Sequence, residues 1–154
     1  MLKFITSLSF ILVFAFGSFH AYAFAQTIPS KVKPTFEQKF ADAKVISCHE
    51  INGEHNIIFQ QGNEVKSARF DADGKWIDTI ITLNAGTAPS KITEYLSSKF
   101  GGKNGQIRRI ENSEGTTYLA FISEKKAIRF DKDGNMTKLE DVSSIDESAL
   151  TTIK

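Results

Sequence analysis

The chain has 154 residues, 24% of them charged, and a formal net charge of +1, which suggests one domain and gives no electrostatic reason to expect nucleic acid or an anionic membrane as partner. Its single cysteine, Cys48, cannot make an internal disulfide, so the fold must stand on packing alone. Cys48 reads as a small buried hydrophobe on a strand, with a reactive thiol or an intermolecular bridge as the alternative.

Residues 1–25 carry the pattern of a secretory signal peptide. Lys3 supplies the positive start, Phe4 to Phe19 is mostly apolar, and Ala21-Tyr22-Ala23 and Ala23-Phe24-Ala25 are small-x-small cleavage sites. Cleavage is expected after Ala23 or Ala25. The alternative, a membrane anchor, is disfavoured because the apolar run is short and interrupted. Removing Lys3 with this segment leaves eighteen basic residues against eighteen acids. The expected location is therefore periplasmic or secreted, and the remaining chain of about 128 residues is long enough for one modest core.

A polar lead-in from Gln26 to Lys33 precedes the first expected helix, about Pro34 to Phe40, with Phe36 and Phe40 on one face. Val32 would extend that face if the helix began earlier. Four strands are expected next. The first is Lys44–Ile51, which the hairpin signal Asn52-Gly53 joins to His55–Gln61. The third and fourth are Glu64–Phe70 and Lys75–Leu83. A second helix carries Ile92, Leu96 and Phe100 on one stripe and ends at Gly101-Gly102. Strands are then expected at 106–112, 116–123, 126–130 and 135–140. Residues 142–154 read as a C-terminal tail.

The second half repeats the first. Arg69-Phe70-Asp71-Ala72-Asp73-Gly74-Lys75-Trp76 recurs sixty positions on as Arg129-Phe130-Asp131-Lys132-Asp133-Gly134-Asn135. Pro29-Ser30-Lys31 likewise recurs as Pro89-Ser90-Lys91. The repeated stretch predicts a three-residue hairpin loop with Gly in the left-handed position, setting Phe70 opposite Trp76 and Phe130 opposite Met136. A calcium loop is the sharper alternative, but it needs Gly at the sixth position and Glu at the twelfth, where Thr82 and Val142 stand. The expected fold class is α+β: a duplicated helix plus four-stranded antiparallel meander, with the helices on one face of the sheet. The expected domain spans 26–141, its repeats about 29–83 and 89–140.

Most residues with chemical potential read as structural. Cys48, Glu50 and His55 would share a strand face, but they offer at most three metal ligands. A cross-strand Glu50–His55 pair is the plainer reading, with His49 on the opposite face beside Asn56. Gly-x-Ser-x-Gly is absent, and Gly101-Gly102-Lys103 follows a helix instead of opening one as a phosphate loop would. No catalytic, cofactor-binding or metal-ligating residue is assigned. Arg69 and Arg129 occupy equivalent positions, each out of phase with its neighbouring Phe, so both should face away from the core. They are the candidate partner-binding residues, against the plainer reading of ordinary solvated strand positions.

In the helix ending in Lys-Phe, the strands and the doubled Phe-Asp-x-Asp-Gly, the chain from about Pro29 to Glu140 resembles the PepSY-like family. These are small exported bacterial proteins related in fold to β-lactamase inhibitory proteins. Family members often carry a Trp in the first strand, where this chain has Val45-Ile46-Ser47. The resemblance implies an α+β fold with an antiparallel sheet, an envelope location, no catalytic residues, and binding or inhibition of other proteins. The expected function is a non-catalytic envelope protein that binds a protein or peptide through its open sheet face or hairpin tips. The alternatives are an envelope structural or stress accessory protein without a tight partner, a calcium-dependent binding module, and a hydrolase without a motif match.

Overall fold

The computed structural model describes residues 27–84, 86–101 and 105–142. The expected signal peptide and most of the expected tail lie outside them. Ten elements follow in order: α1 (Lys33–Lys39), β1 (Lys44–Ile51), β2 (Glu54–Gln61), β3 (Glu64–Phe70), β4 (Trp76–Leu83), α2 (Ser90–Phe100), β5 (Ile107–Asn112), β6 (Gly115–Ser123), β7 (Lys126–Phe130) and β8 (Met136–Asp141). Every strand boundary falls within one residue of its expected place.

The expected fold class requires correction. The strands do not form duplicated four-stranded meanders. They form one eight-stranded sheet in the order β1-β2-β3-β4-β5-β6-β7-β8, every neighbouring pair antiparallel, with two short helices. The joint is β4 against β5, in register from Asp78↔Asn112 to Leu83↔Ile107. The physical reason lies in β4 itself. Its Ile80, Ile81 and Leu83 are buried, and a separate first meander would leave this Ile- and Thr-rich strand as an unpaired edge. Pairing with β5 removes that edge and sets Ile80 opposite Ile110.

Both helices lie on the same face. The register aligns Ile57 with Ala68 and Ala68 with Thr79. It also aligns Leu83, Ile107, Ala120 and Ile128 across four strands. Val32, Phe36 and Phe40 of the first helical stripe pack with Cys48, Ile57, Phe59, Ala68 and Phe70. Phe36 meets Phe59 edge-on, with ring centroids 5.1 Å apart, a geometry that adds about 0.5–1.5 kcal/mol to simple burial. The second stripe, Ile92 and Leu96, packs with Ile81, Leu83, Ile107, Ala120, Ile128 and Phe130. Phe100, expected on that stripe, is instead 38% exposed. It is the last helical residue, and Gly101 turns the chain away in the left-handed conformation (φ 64°). Val142, expected in the tail, is buried with Leu119 and Ala127, and its N–H donates to the Lys125 carbonyl at 2.9 Å.

The helices begin alike. The Pro29 carbonyl accepts from the N–H groups of Val32 and Lys33, and the Pro89 carbonyl accepts from those of Ile92 and Thr93. Each helix entrance meets the hairpin tip of its own copy. In the first tip, Asp71 Oδ1 accepts from the N–H groups of Asp73 and Lys75, and Asp71 N–H donates to the Lys75 carbonyl. The second tip repeats this with Asp131, Asp133 and Asn135. The glycines adopt φ of 83° and 77°, and Phe70 pairs with Trp76 as Phe130 does with Met136. In each tip, one oxygen of the first Asp is thus engaged by its own loop. Gly74 touches the helix entrance so closely that a Cβ there would lie 2.1 Å from the Lys31 carbonyl oxygen.

Gly74→Ala should therefore destabilise the protein by about 3 kcal/mol or more, because rigid backbone blocks the methyl group. Gly53→Ala has a similar positive φ (82°) and open space around its Cβ position, so it should cost only about 1–2 kcal/mol. Gly134→Ala, whose Cβ would sit 3.3 Å from the yielding Lys91 side chain, should fall between them. Urea unfolding of the three variants measures the order, and equal costs for Gly74 and Gly53 would disprove the tip contact.

Candidate functional site

The face of the sheet without helices is built by the alternate residues of each strand. Asn56, Arg69, Asp78 and Asn112 lie in one cross-strand row. Ile58, Ser67, Ile80, Ile110 and Thr117 form the next. Arg108, Leu119, Arg129 and Lys138 form a third. Both sequence-selected arginines stand on this face, four strands apart. At about 4.8 Å per strand this is roughly 19 Å across the sheet, and the two-row offset adds about 13 Å along the strands.

Neither arginine is an ordinary solvated residue. Arg69 Nε donates to Asp78 Oδ1 at 2.9 Å, its second terminal nitrogen donates to Asp78 Oδ2, and its first donates to Glu54 Oε2 at 3.3 Å. Arg129 Nε donates to Glu140 Oε1 at 2.6 Å, while its terminal nitrogens reach Glu140 Oε2 at 3.1 Å and Thr117 Oγ1 at 3.2 Å. Both are fork-to-carboxylate pairs, the geometry that holds a guanidinium plane most firmly. The arginine side chains remain 31% and 32% exposed, so each is fixed and still reachable.

The carboxylate partners do not stand out in the sequence. The hairpin register contains one of them: with Phe70 opposite Trp76 and a bulge beside it, Arg69 faces Asp78. The same count in the second copy sets Arg129 opposite Lys138, and the carboxylate comes from Glu140 instead. Arg108 is a further member of this face that the motif pattern does not mark. It is buried, its guanidinium lies 4.7 Å from the Phe121 ring centroid, and its Nε donates to Gln106 Oε1 at 2.8 Å. Alternation with Arg109 is the signal in the sequence that points to it.

The other candidates fall out as local structure. Glu50 pairs with His55 and His49 with Asn56 across the first hairpin. Among the described residues there is no cluster of three or more His, Cys, Asp or Glu that could hold a metal. Cys48 is buried, and desolvation pushes its thiol above the ordinary value, which keeps it protonated. No helix among the described residues is long and apolar enough to cross a membrane.

The Arg129 hydrogen bonds hold the Glu140 carboxyl below its usual range, partly opposed by burial. A depressed carboxylate contributes stability above its unfolded value, about 4.3, and loses it as pH falls through the folded value. Arg129→Gln should move the Glu140 midpoint upward in a carboxyl-detected NMR titration and weaken the pH dependence of stability below about pH 4.3. An unchanged midpoint would show that the pair does not persist in solution.

Comparison with known proteins bears on this arrangement in two ways. The family model described as "Putative beta-lactamase-inhibitor-like, PepSY-like" matches residues 53–138, whereas no curated protein matches the chain. Among solved structures, the fold is similar to a BLIP-like protein from Bacteroides fragilis (17% identity, TM-score 0.65), covering 79% of this chain and 92% of that one. It is also similar to a DUF2874 family protein from Bacteroides ovatus (15% identity, TM-score 0.66, 82% and 99% covered). A third structure, from Bacteroides eggerthii, is described as "putative periplasmic proteins" (11% identity, TM-score 0.64, 77% and 91% covered). At these identities the structures establish a shared fold, and the family match, over more than half the chain, establishes kinship: the chain belongs to the PepSY-like, β-lactamase-inhibitor-like family.

Proposed function

We propose that this chain is a non-catalytic exported envelope protein that binds another protein or peptide through the helix-free face of its sheet. The observation that carries the reading is the pair of fixed, part-exposed guanidinium groups, Arg69 and Arg129, on that face. Guanidinium groups held in place and still part-exposed suit a protein-binding surface. Arginine is enriched at interfaces, and side chains locked before contact lose little rotamer freedom on binding. The signal-peptide pattern of residues 1–25 and the periplasmic description of the Bacteroides eggerthii relative support an envelope location. The family description supports binding over catalysis.

The test must spare the fold. Arg69→Ala alone would strand the buried Asp78 carboxylate, a change that destabilises by about 3–5 kcal/mol through an uncompensated charge. Paired neutral substitutions, Arg69→Gln with Asp78→Asn and Arg129→Gln with Glu140→Gln, remove both charges of each pair. The mature chain, tagged at its C-terminus and expressed at native level in its own envelope, should capture one partner at near-equal amount after crosslinking. The fourfold variant, folded by thermal melting, should lose at least about tenfold in affinity for it. Unchanged affinity would exclude this face. No partner above background would overturn the binding role.

A further inference from the structure

On the other side of the molecule, at the first hairpin tip, lies an open groove of about 710 Å³ lined by Thr35, Gln38, Lys39, Gly74, Trp76 and Ser113, with Asp73 and Lys75 at its rim. Trp76 is the chain's only tryptophan. It is half-buried against the first core cluster, and its indole N–H donates to the buried Thr79 Oγ1 at 3.1 Å. The Lys39 ammonium sits 3.5 Å from the centre of its ring.

The groove exists because the two copies differ. At the sixty-residue offset, Thr35 corresponds to Tyr95 and Trp76 to Met136. In the second copy the helix supplies the ring: Tyr95 meets Phe130 edge-on, with centroids 5.5 Å apart. In the first half the position of Tyr95 holds Thr35, and the ring that meets Phe70 edge-on is Phe36, one residue on. The β5–β6 turn at Ser113 walls the groove from the next hairpin. Met136 has no such wall among the described residues, because β8 is the last strand of the sheet, and it is 44% exposed. A shared scaffold has thus been opened at one copy only.

The charges at the groove indicate what it would take. Lys31 is paired with Asp73, and Lys33 with Glu37. Lys39 and Lys75 are in no ion pair with any described residue, and both line the groove. Two cations in no ion pair among the described residues, beside an indole and the small polar groups of Thr35, Gln38 and Ser113, complement an acidic, partly apolar chain. We propose that this groove is a binding site for an acidic peptide segment, with carboxylates on Lys39 and Lys75 and an apolar side chain against Trp76. It is separate from the helix-free face, so either can fail without the other.

Because Trp76 is the sole tryptophan, its fluorescence reports directly on occupancy. The probe is the blocked peptide acetyl-Glu-Leu-Glu-Phe-Glu-amide, titrated into the mature chain to millimolar concentration, with the Gln-for-Glu peptide as control. The acidic peptide should produce a saturable change that weakens as salt rises, and the control should not. Lys39→Gln and Lys75→Gln should each reduce affinity about tenfold, the usual worth of a charge-assisted hydrogen bond. Thr35→Tyr, which places in the first copy the residue already accommodated in the second, should abolish binding without altering charge. The neutralised Arg69/Asp78 pair should leave the titration unchanged. Absence of a saturable change would overturn the proposal, as would equal binding of the control peptide or binding that survives Thr35→Tyr in a folded variant.

Discussion

The contact between hairpin tip and helix entrance sets the rest of the molecule. Gly74 lies against the Lys31 carbonyl with no room for a side chain, and the Asp71 carboxylate freezes the loop that presents it. The helix start is thereby pinned at the strand end, and the Phe36 and Phe40 stripe is delivered onto Phe59 and Phe70. The second copy uses the same device with a side-chain clasp, Lys91 Nζ donating to Asn135 Oδ1, and a looser fit at Gly134. A seven-residue helix has little stability of its own, so its place on the sheet comes from this anchor and from buried Phe36 with the flanking Val32 and Phe40.

The second constraint is the shared sheet. Once β4 pairs with β5, the two copies cease to be separable units, because the Leu83↔Ile107 contact belongs to both and lies in the core beneath α2. The same joint fixes the spacing of Arg69 and Arg129, which belong to different copies but to one continuous surface. A pair of independent meanders would leave their separation to a linker. The fused sheet makes it a property of strand geometry.

Local structure is legible in the sequence wherever a short-range rule applies. Asn52-Gly53 and the two Asp-x-Asp-Gly tips set hairpin registers, and those registers place Phe70 opposite Trp76 and Glu50 opposite His55, as the strands indeed pair. The joint between the copies is not legible in the same way. Pairing of β4 with β5 crosses a helix, and no turn chemistry encodes it. The site is partly legible for the same reason. Alternation places Arg69 and Arg129 away from the core, but their carboxylates depend on side-chain reach. Asp78 follows from register, whereas Glu140 is reached past Lys138, the residue directly opposite.

The two halves, compared position by position, bear on where function resides. Residues that both halves share, such as the tip aspartates and glycines, the entry prolines, and Phe70 with Phe130, each have a structural task visible in hydrogen bonds or burial. Retention at these positions therefore reports on folding. Arg69 and Arg129 are shared as well but stay part-exposed; beyond them, the informative positions are those where one half departs while the scaffold around it holds: Thr35 against Tyr95, Trp76 against Met136, Asp78 against Lys138. None of these is required by the turn or the helix stripe, since the other copy folds without it. The copies act as controls for each other, and their differences mark surfaces free to be shaped by a ligand.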